Sequence, residues 1–384
     1  MSVGPERACL AIADVSGYTG YLAGVELDHA QDILADLIGT VVNSMAPFEL
    51  SKLEGDAAFM FLPGDTVDGS ALQDAIEGTY VAFRRRLRDI QQASSCECNA
   101  CVRIPSLDIK FVVHHGAIAR QRMVGLEELV GSDVILVHRL LKNGVEASTG
   151  IGAYALYTQA ALDAAGVDPL EQGLTQHQEA TDVAGDVSAW VRDLEAHWQE
   201  TLTRRPRSID ESNLVNEISW LAPTPISVTF EWLTSPTKRL LWVPTITTLD
   251  ETTEEGRRGE GTTNHCMHGE NAIRERILEW RPPEYWLLEG FAASIPGEPG
   301  IYLSDELEAL PDGGTRVTNR VGRRDDDPTD PETFRQVVGY YLAGYEASLE
   351  ILKQQLVEVA AAATETPELP ESARRFLSQP MVAS

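Results

Sequence analysis

Two apolar runs, FELSKLE and AAFMFL, are separated only by Gly55 and Asp56. A two-residue link with Gly is a hairpin signature and makes the two runs antiparallel neighbours. Around this hairpin the first half alternates between strand-like and helix-like stretches. ACLAIADV reads as a buried strand ending in an acid, and LDHAQDILADLIGTVVNSM as a helix. ALQDAIEGTYVAFRRRLRDIQQA is a strongly amphipathic helix, SLDIKFVVHHGAIA a long strand, and LTQHQEA and VSAWVRDL two further strand candidates. Helices mixed with strands that include a direct hairpin predict an α+β unit with a mixed sheet.

The pattern changes at HWQETLTRRPRSIDESN, which is polar, contains a proline and lacks core periodicity. The domain reading is therefore residues 1–196, a linker at 197–212, a second domain at 213–360 and a mobile tail at 361–384. NEISWL opens the second domain as a strand, and PISVTFEWLTSP follows as a short helix with Pro225 near its first turn. Strand-like runs follow: RLLWVPTITTLD, GTTNHCMHG, AIRERILEW, EYWLLEGFAAS, GIYLSDELEAL and TRVTNRVGR. Phe334, Val338, Leu342, Tyr345, Leu349, Leu352 and Leu356 then recur at spacings of three and four, one apolar face of a long closing helix. No internal repeat is visible.

With 384 residues, 43% of them hydrophobic, the chain can bury two cores. Acidic residues number 59 against 31 basic, a formal net charge of −28. That field repels nucleic acid and anionic membranes, so neither is an expected partner. No apolar run reaches the roughly 18 residues of a membrane span. The opening stretch lacks the basic, apolar and small-residue order of a secretory signal. Five cysteines, an odd number, do not form a secreted disulfide framework. The expected compartment is the cytoplasm.

Asp14 closes the first strand and Asp56 sits at the hairpin tip. In a mixed sheet these two places can adjoin, and two adjoining carboxylates call for a proton or a cation. Oxygen donors suit Mg²⁺ or Mn²⁺, whose remaining coordination comes from water and phosphate. The alternative is that each Asp only favours its turn or caps a helix.

Four stretches, in order, resemble class III nucleotidyl cyclases: IADVSGYTGYL, KLEGDAAF, FVVHHGAI and GSDVILVHRLLKN. The resemblance spans about Ala8 to Leu194. It implies a ferredoxin-like βαββαβ core and a homodimer with nucleotide between subunits. By that resemblance Asp14 and Asp56 would hold two Mg²⁺ or Mn²⁺ ions. Lys52 and Glu128 would read the purine, with adenine and hence ATP favoured. Arg139 would stabilise the transition state from across the dimer. Two departures stand out. Ile135 replaces the family's ribose-positioning Asn, and no lysine occurs between Lys142 and Lys238 to grip the polyphosphate, leaving Arg192 as a substitute. These departures favour a degenerate, nucleotide-binding domain over an active adenylate cyclase.

Cys96, Cys98 and Cys101 are candidate zinc ligands, with His114, His138 or Cys9 as a fourth; the other reading is a loop of free thiols. The second half resembles the START-like superfamily (SRPBCC, polyketide-cyclase-like), on PISVTFEWLTSPTKRLLW and on the order strand, short helix, strands, long helix. That resemblance implies a helix-grip antiparallel sheet around a long helix, with a pocket for an apolar small molecule. His265, Cys266 and His268 are candidate pocket residues, and strand alternation keeps all three from converging. The combined expectation is a regulatory sensor. An active cyclase gated by the ligand, or a carrier or small-molecule enzyme with a dimerising first domain, are the alternatives.

Overall fold

The computed structural model describes residues 5–22, 27–93, 103–123, 126–253, 256–292, 300–324, 327 and 329–364. The chain divides into two compact units, one from Met1 to Arg204 and one from Arg205 to Glu368. The tail expected at 361–384 lies outside the described residues from position 365 onward.

The first unit contains β1 (Glu6–Ser16), α1 (Tyr18–Leu22), α2 (Leu27–Ser44), β2 (Glu49–Glu54), β3 (Ala57–Pro63), α3 (Gly69–Ala93), β4 (Asp108–Met123) and β5 (Leu126–Val130). It continues with α4 (Ser132–Arg139), α5 (Val145–Thr149), β6 (Tyr154–Thr158), α6 (Gln159–Ala165), β7 (Thr175–Thr181), β8 (Gly185–Asp193) and α7 (Leu194–Thr203). The sheet runs β2-β3-β1-β4-β6-β8-β7, with β5 paired to β4 off this path. The β4–β6 pairing is parallel and the other ladders are antiparallel, the expected mixed sheet.

Strand alternation sorts β1 to two faces. Cys9, Ala11, Ala13 and Val15 join Leu37 of α2 and Ile76, Tyr80 and Phe83 of α3 in one core. Ala8, Leu10 and Ile12 join Phe59, Val134 and Val137 in a second core under α4. A strand buried on both faces reads as an unbroken apolar run, as ACLAIADV does.

The segment expected as linker begins as helix. In α7 Trp198 is buried at 5% exposure, and Asp193 caps the helix by accepting from Ala196 N at 2.9 Å. Its two buried residues, Leu194 and Trp198, make too short a pattern to detect in a ten-residue helix. The short elements α1, β5, α5, β6 and α6 were likewise not expected.

The second unit contains β9 (Leu214–Ala222), α8 (Ile226–Thr234), α9 (Pro236–Trp242), β10 (Thr248–Thr252), β11 (Thr263–His268), β12 (Asn271–Arg281), β13 (Tyr285–Ala292), β14 (Gly300–Ala309), β15 (Thr315–Arg323) and α10 (Pro331–Thr364). Its sheet is antiparallel throughout, in the order β10-β11-β12-β13-β14-β15-β9. Phe334, Val338, Tyr345, Leu349, Leu352 and Leu356 of α10 are all buried. Phe334 and Val338 pack on Ile301 and Val321 of the sheet. RLLW, expected as the start of a strand, is helix α9: Pro236 opens it, and Trp242 Nε1 donates to Trp232 O at 2.8 Å, locking α9 to α8.

Candidate functional site

The hairpin brings the two acids together. Asp14 pairs in register with Ala57, and Val15 N donates to Asp56 O at 3.1 Å. Burial, and then the Asp14 charge, push the Asp56 carboxyl above its usual range, against the pull of a backbone bond and of Lys110. Lys110 lies directly across from Asp14 on β4, with Nζ 3.2 Å from Asp14 Oδ2 and 3.4 Å from Leu141 O. Sequence reasoning missed Lys110. Its signal was its place at the head of the central strand, four residues before His114.

Cross-strand neighbours share a sheet face. Asp14, Ala57 and Lys110 are such neighbours, and so are Glu54 with Ala57 and Lys52 with Phe59. Ala57 and Phe59 belong to the core under α4, so all these polar residues stand on the α4 side.

Lys52 and Glu128 meet. Lys52 Nζ is 3.5 Å from Glu128 Oε2 and 2.9 Å from Glu54 Oε1. Burial pulls the ammonium down, but Glu54 and Glu128 outweigh it and raise it overall. Glu54 also accepts from His138 Nε2 at about 3.0 Å, while His138 Nδ1 bonds Val134 O at 2.7 Å. A cleft of about 340 Å³ opens here, lined by Lys52, Glu54, Val134, Ile135, His138 and Arg139. Ile135 is 52% exposed and offers the cleft only apolar surface. Arg139 is half-exposed, with Nε 3.5 Å from Asp182. Asp14 and Asp56 do not line this cleft.

Arg192 does not serve as the substitute phosphate cation. Its Nε donates to buried Glu77 of α3 at 2.8 Å, and by alternation it shares the α3 face with Trp190. That is the sheet face opposite the acids.

Next to the cleft, α4 is docked by Asp133. Its Oδ2 accepts from Ala117 N at 2.7 Å and its Oδ1 lies 3.3 Å from His114 Nε2. His114 Nδ1 meets Thr158 Oγ1 at 2.9 Å, and burial pushes this imidazole down despite Asp133. A Cβ at Gly116 would fall 2.4 Å from Asp133 Cγ, so the close approach requires glycine.

Asp14 and Asp56 supply hard oxygen donors at the adjoining end of β1 and the β2–β3 turn, of the kind that suits Mg²⁺ or Mn²⁺. Among the described residues no group of three or more His, Cys, Asp or Glu is placed to hold a metal. Cys96, Cys98 and Cys101 lie outside the described residues. Of their candidate fourth partners, His114 and His138 are bonded as above, and burial pushes the Cys9 thiol up to about 12.

In the second unit Asn264 and Cys266 point inward, whereas His265 is exposed. His268 is half-buried and bonds Thr245. Cys266 is buried, with its thiol raised to about 12 by burial and then by Glu275. Arg239 of α9 grips Glu275 of β12 through two bonds, 2.6 and 2.7 Å, and Asn264 Nδ2 adds a third at 3.3 Å. A cleft of about 310 Å³ is lined by Arg207, Glu260, Gly261, Arg276, Ile277 and Leu278, with no residue of α10. Among the described residues no helix is long and apolar enough to cross a membrane.

Residues 34–149 match a family described as Protein of unknown function (DUF2652). Residues 218–357 match the family of polyketide cyclase / dehydrase and lipid transport. An uncharacterized protein of Mycobacterium tuberculosis is 40% identical over 115 residues, 30% of this chain and 54% of that protein. The chain thus spans about half the length of the curated relative it matches. Among solved structures, the guanylyl cyclase Cya2 is 15% identical with a TM-score of 0.38, covering 50% of this chain and 93% of that one. The adenylyl cyclase CyaB from P. aeruginosa is 15% identical with a TM-score of 0.37, covering 50% and 96%.

Proposed function

We propose that the first unit is a cyclase-like domain that binds a purine nucleotide and divalent metal with weak or lost turnover. The second unit binds a small molecule, and together they act as a regulatory sensor. The observation that carries the reading is the meeting of Lys52 with Glu128, from distant strands, beside a cleft lined by Lys52, Ile135 and Arg139. An ammonium beside a carboxylate complements the ring nitrogen and amino group on the edge of adenine. Asp14 and Asp56 lie outside that cleft, so one chain carries two half-sites, and a second copy supplies the complement as a homodimer. Divalent ions held by Asp14 and Asp56 would neutralise the triphosphate and activate the attacking hydroxyl. Lys110 stands beside these acids to meet phosphate. Ile135 supplies no hydrogen bond to a ribose, and losing one such contact costs roughly 10²–10³ in rate.

Lys110 also favours a second reading, an active adenylate cyclase, because it fills the role that a lysine near the last strands would otherwise hold. An assay of ATP with Mn²⁺ for cyclic AMP separates the two, and clear turnover ends the degenerate reading. ATP with Mn²⁺ should raise the melting temperature of the intact chain, and Asp14→Asn should abolish that rise. No rise in the wild type would refute nucleotide binding.

A further inference from the structure

The interior of the second unit carries more hydrogen-bond acceptors than an acyl chain needs. Asp305 on β14 is 5% exposed. Its Oδ2 accepts from Trp286 Nε1 at 2.8 Å and its Oδ1 from Asn319 Nδ2 at 2.9 Å. Among the described residues no cation lies within ion-pair distance of it, and Arg239, the charge nearby, is held two-fold by Glu275. On α10, Tyr341 and Tyr345 stack with centroids 5.8 Å apart, and the Asp305 charge adds to burial in raising both hydroxyls. Trp220 Nε1 donates to Tyr345 Oη at 3.2 Å.

Two buried amide oxygens complete the set. Asn264 Oδ1 and Asn319 Oδ1 have no partner, in residues 1% and 2% exposed. The amide hydrogens of both residues are engaged with the carboxylates of Glu275 and Asp305. What remains unmet is therefore acceptor capacity, and a buried acceptor without a donor is costly. Alkyl chains bring no donor. A ligand carboxylate or phosphate would face Asp305 and Glu275 as like charge. A ligand bringing an N–H or O–H group complements the acceptors of Asp305 and Asn319, and Trp220, Trp286 and the stacked tyrosines provide aromatic walls for its body.

We infer that the second unit takes a small aromatic molecule bearing an amine or hydroxyl donor, seated between the sheet and α10 with that donor toward Asp305 and Asn319. This rests on the reading of the unit as a small-molecule binder and narrows the apolar ligand to one with a donor head.

The test titrates the full chain with four probes of similar size, followed by tryptophan fluorescence and melting temperature: 2-phenylethylamine, 2-phenylethanol, propylbenzene and 3-phenylpropanoate. The amine or the alcohol should bind at least about tenfold more tightly than propylbenzene and 3-phenylpropanoate, the range of one hydrogen bond to a charged group. Which of the two wins tells an ionic from a neutral donor. Asp305→Asn, nearly isosteric, should erase that preference and leave propylbenzene unchanged. Equal or tighter binding of propylbenzene or 3-phenylpropanoate to the wild type overturns the inference while leaving a ligand-binding unit. If none of the four binds at millimolar concentration, the small-molecule reading falls with it. The wild-type comparison needs no variant, so it decides the matter even if Asp305→Asn fails to fold.

Discussion

Glu275→Ala is the most informative perturbation of the second unit. Arg239 and Glu275 are about 10% and 9% exposed at their side chains and share two bonds of 2.6 and 2.7 Å. Deleting the carboxylate leaves a buried guanidinium with two donors unmatched and frees the Asn264 amide. Breaking such a pair costs about 3–5 kcal/mol. For a unit of this size each kcal/mol shifts the melting temperature by roughly 2–4 °C, so a fall of about 6–20 °C is expected. Differential scanning calorimetry of the intact chain reads it. The double change Arg239→Met with Glu275→Leu removes both charges and should restore stability to near the wild type, because desolvating the pair offsets most of its attraction. A single variant within about 1 kcal/mol of wild type, or a double variant as damaged as the single, would refute the reasoning. The pH dependence has a definite sign. Burial pushes the Glu275 carboxyl up, but the Arg239 charge and bonds outweigh it and hold it below its ordinary 4.5. The unfolded chain therefore takes up the proton first as pH falls. The pair's contribution is fully present above about 4.5 and is lost progressively below it.

Asp305 runs the opposite way. Burial holds its carboxyl above the ordinary 3.8, so the unfolded chain ionises first, and the wild type should lose stability relative to Asp305→Asn as pH rises past 3.8. Melting temperatures between pH 3.5 and roughly 7 check this, and a wild type that gains on the variant over that range contradicts it. Gly116→Ala forces a methyl to 2.4 Å from Asp133 Cγ and should cost about 1–3 kcal/mol in urea unfolding, with loss of the Ala117–Asp133 bond. Ile135→Asn should raise any residual cyclic AMP formation by about tenfold or more; an unchanged rate would place the defect elsewhere.

Much of this architecture is written in local pattern. The Gly55–Asp56 hairpin, the double-sided burial of ACLAIADV and the apolar stripe of α10 each follow from residue spacing, and each is present in the folded chain. What escaped detection is non-local or short. β6 is five residues, all buried, and its strand character comes from parallel pairing with β4. RLLW carries strand-like apolar residues, yet Pro236 and the Trp242–Trp232 bond make it a helix. At the candidate site, spacing and resemblance named Asp14, Asp56, Lys52, Glu128 and Arg139, and the sheet sets Asp14 by the hairpin turn and Lys52 by Glu128. Lys110 and Glu54 were not, because their importance lies in partners that only the sheet register brings near. Arg192 shows the converse: a suitable charge in the right stretch, turned by strand parity to the wrong side.

The segregation of the first unit's two sheet faces has an evolutionary consequence. Helices α2 and α3 cover one side, while α4 covers part of the other and leaves Asp14, Lys52, Glu54 and Lys110 partly exposed beside its core. Ile135 of α4 is 52% exposed and belongs to neither core, so a substitution there alters the surface and takes no support from the scaffold. A lineage can thus vary this partly exposed face one side chain at a time while the fold persists.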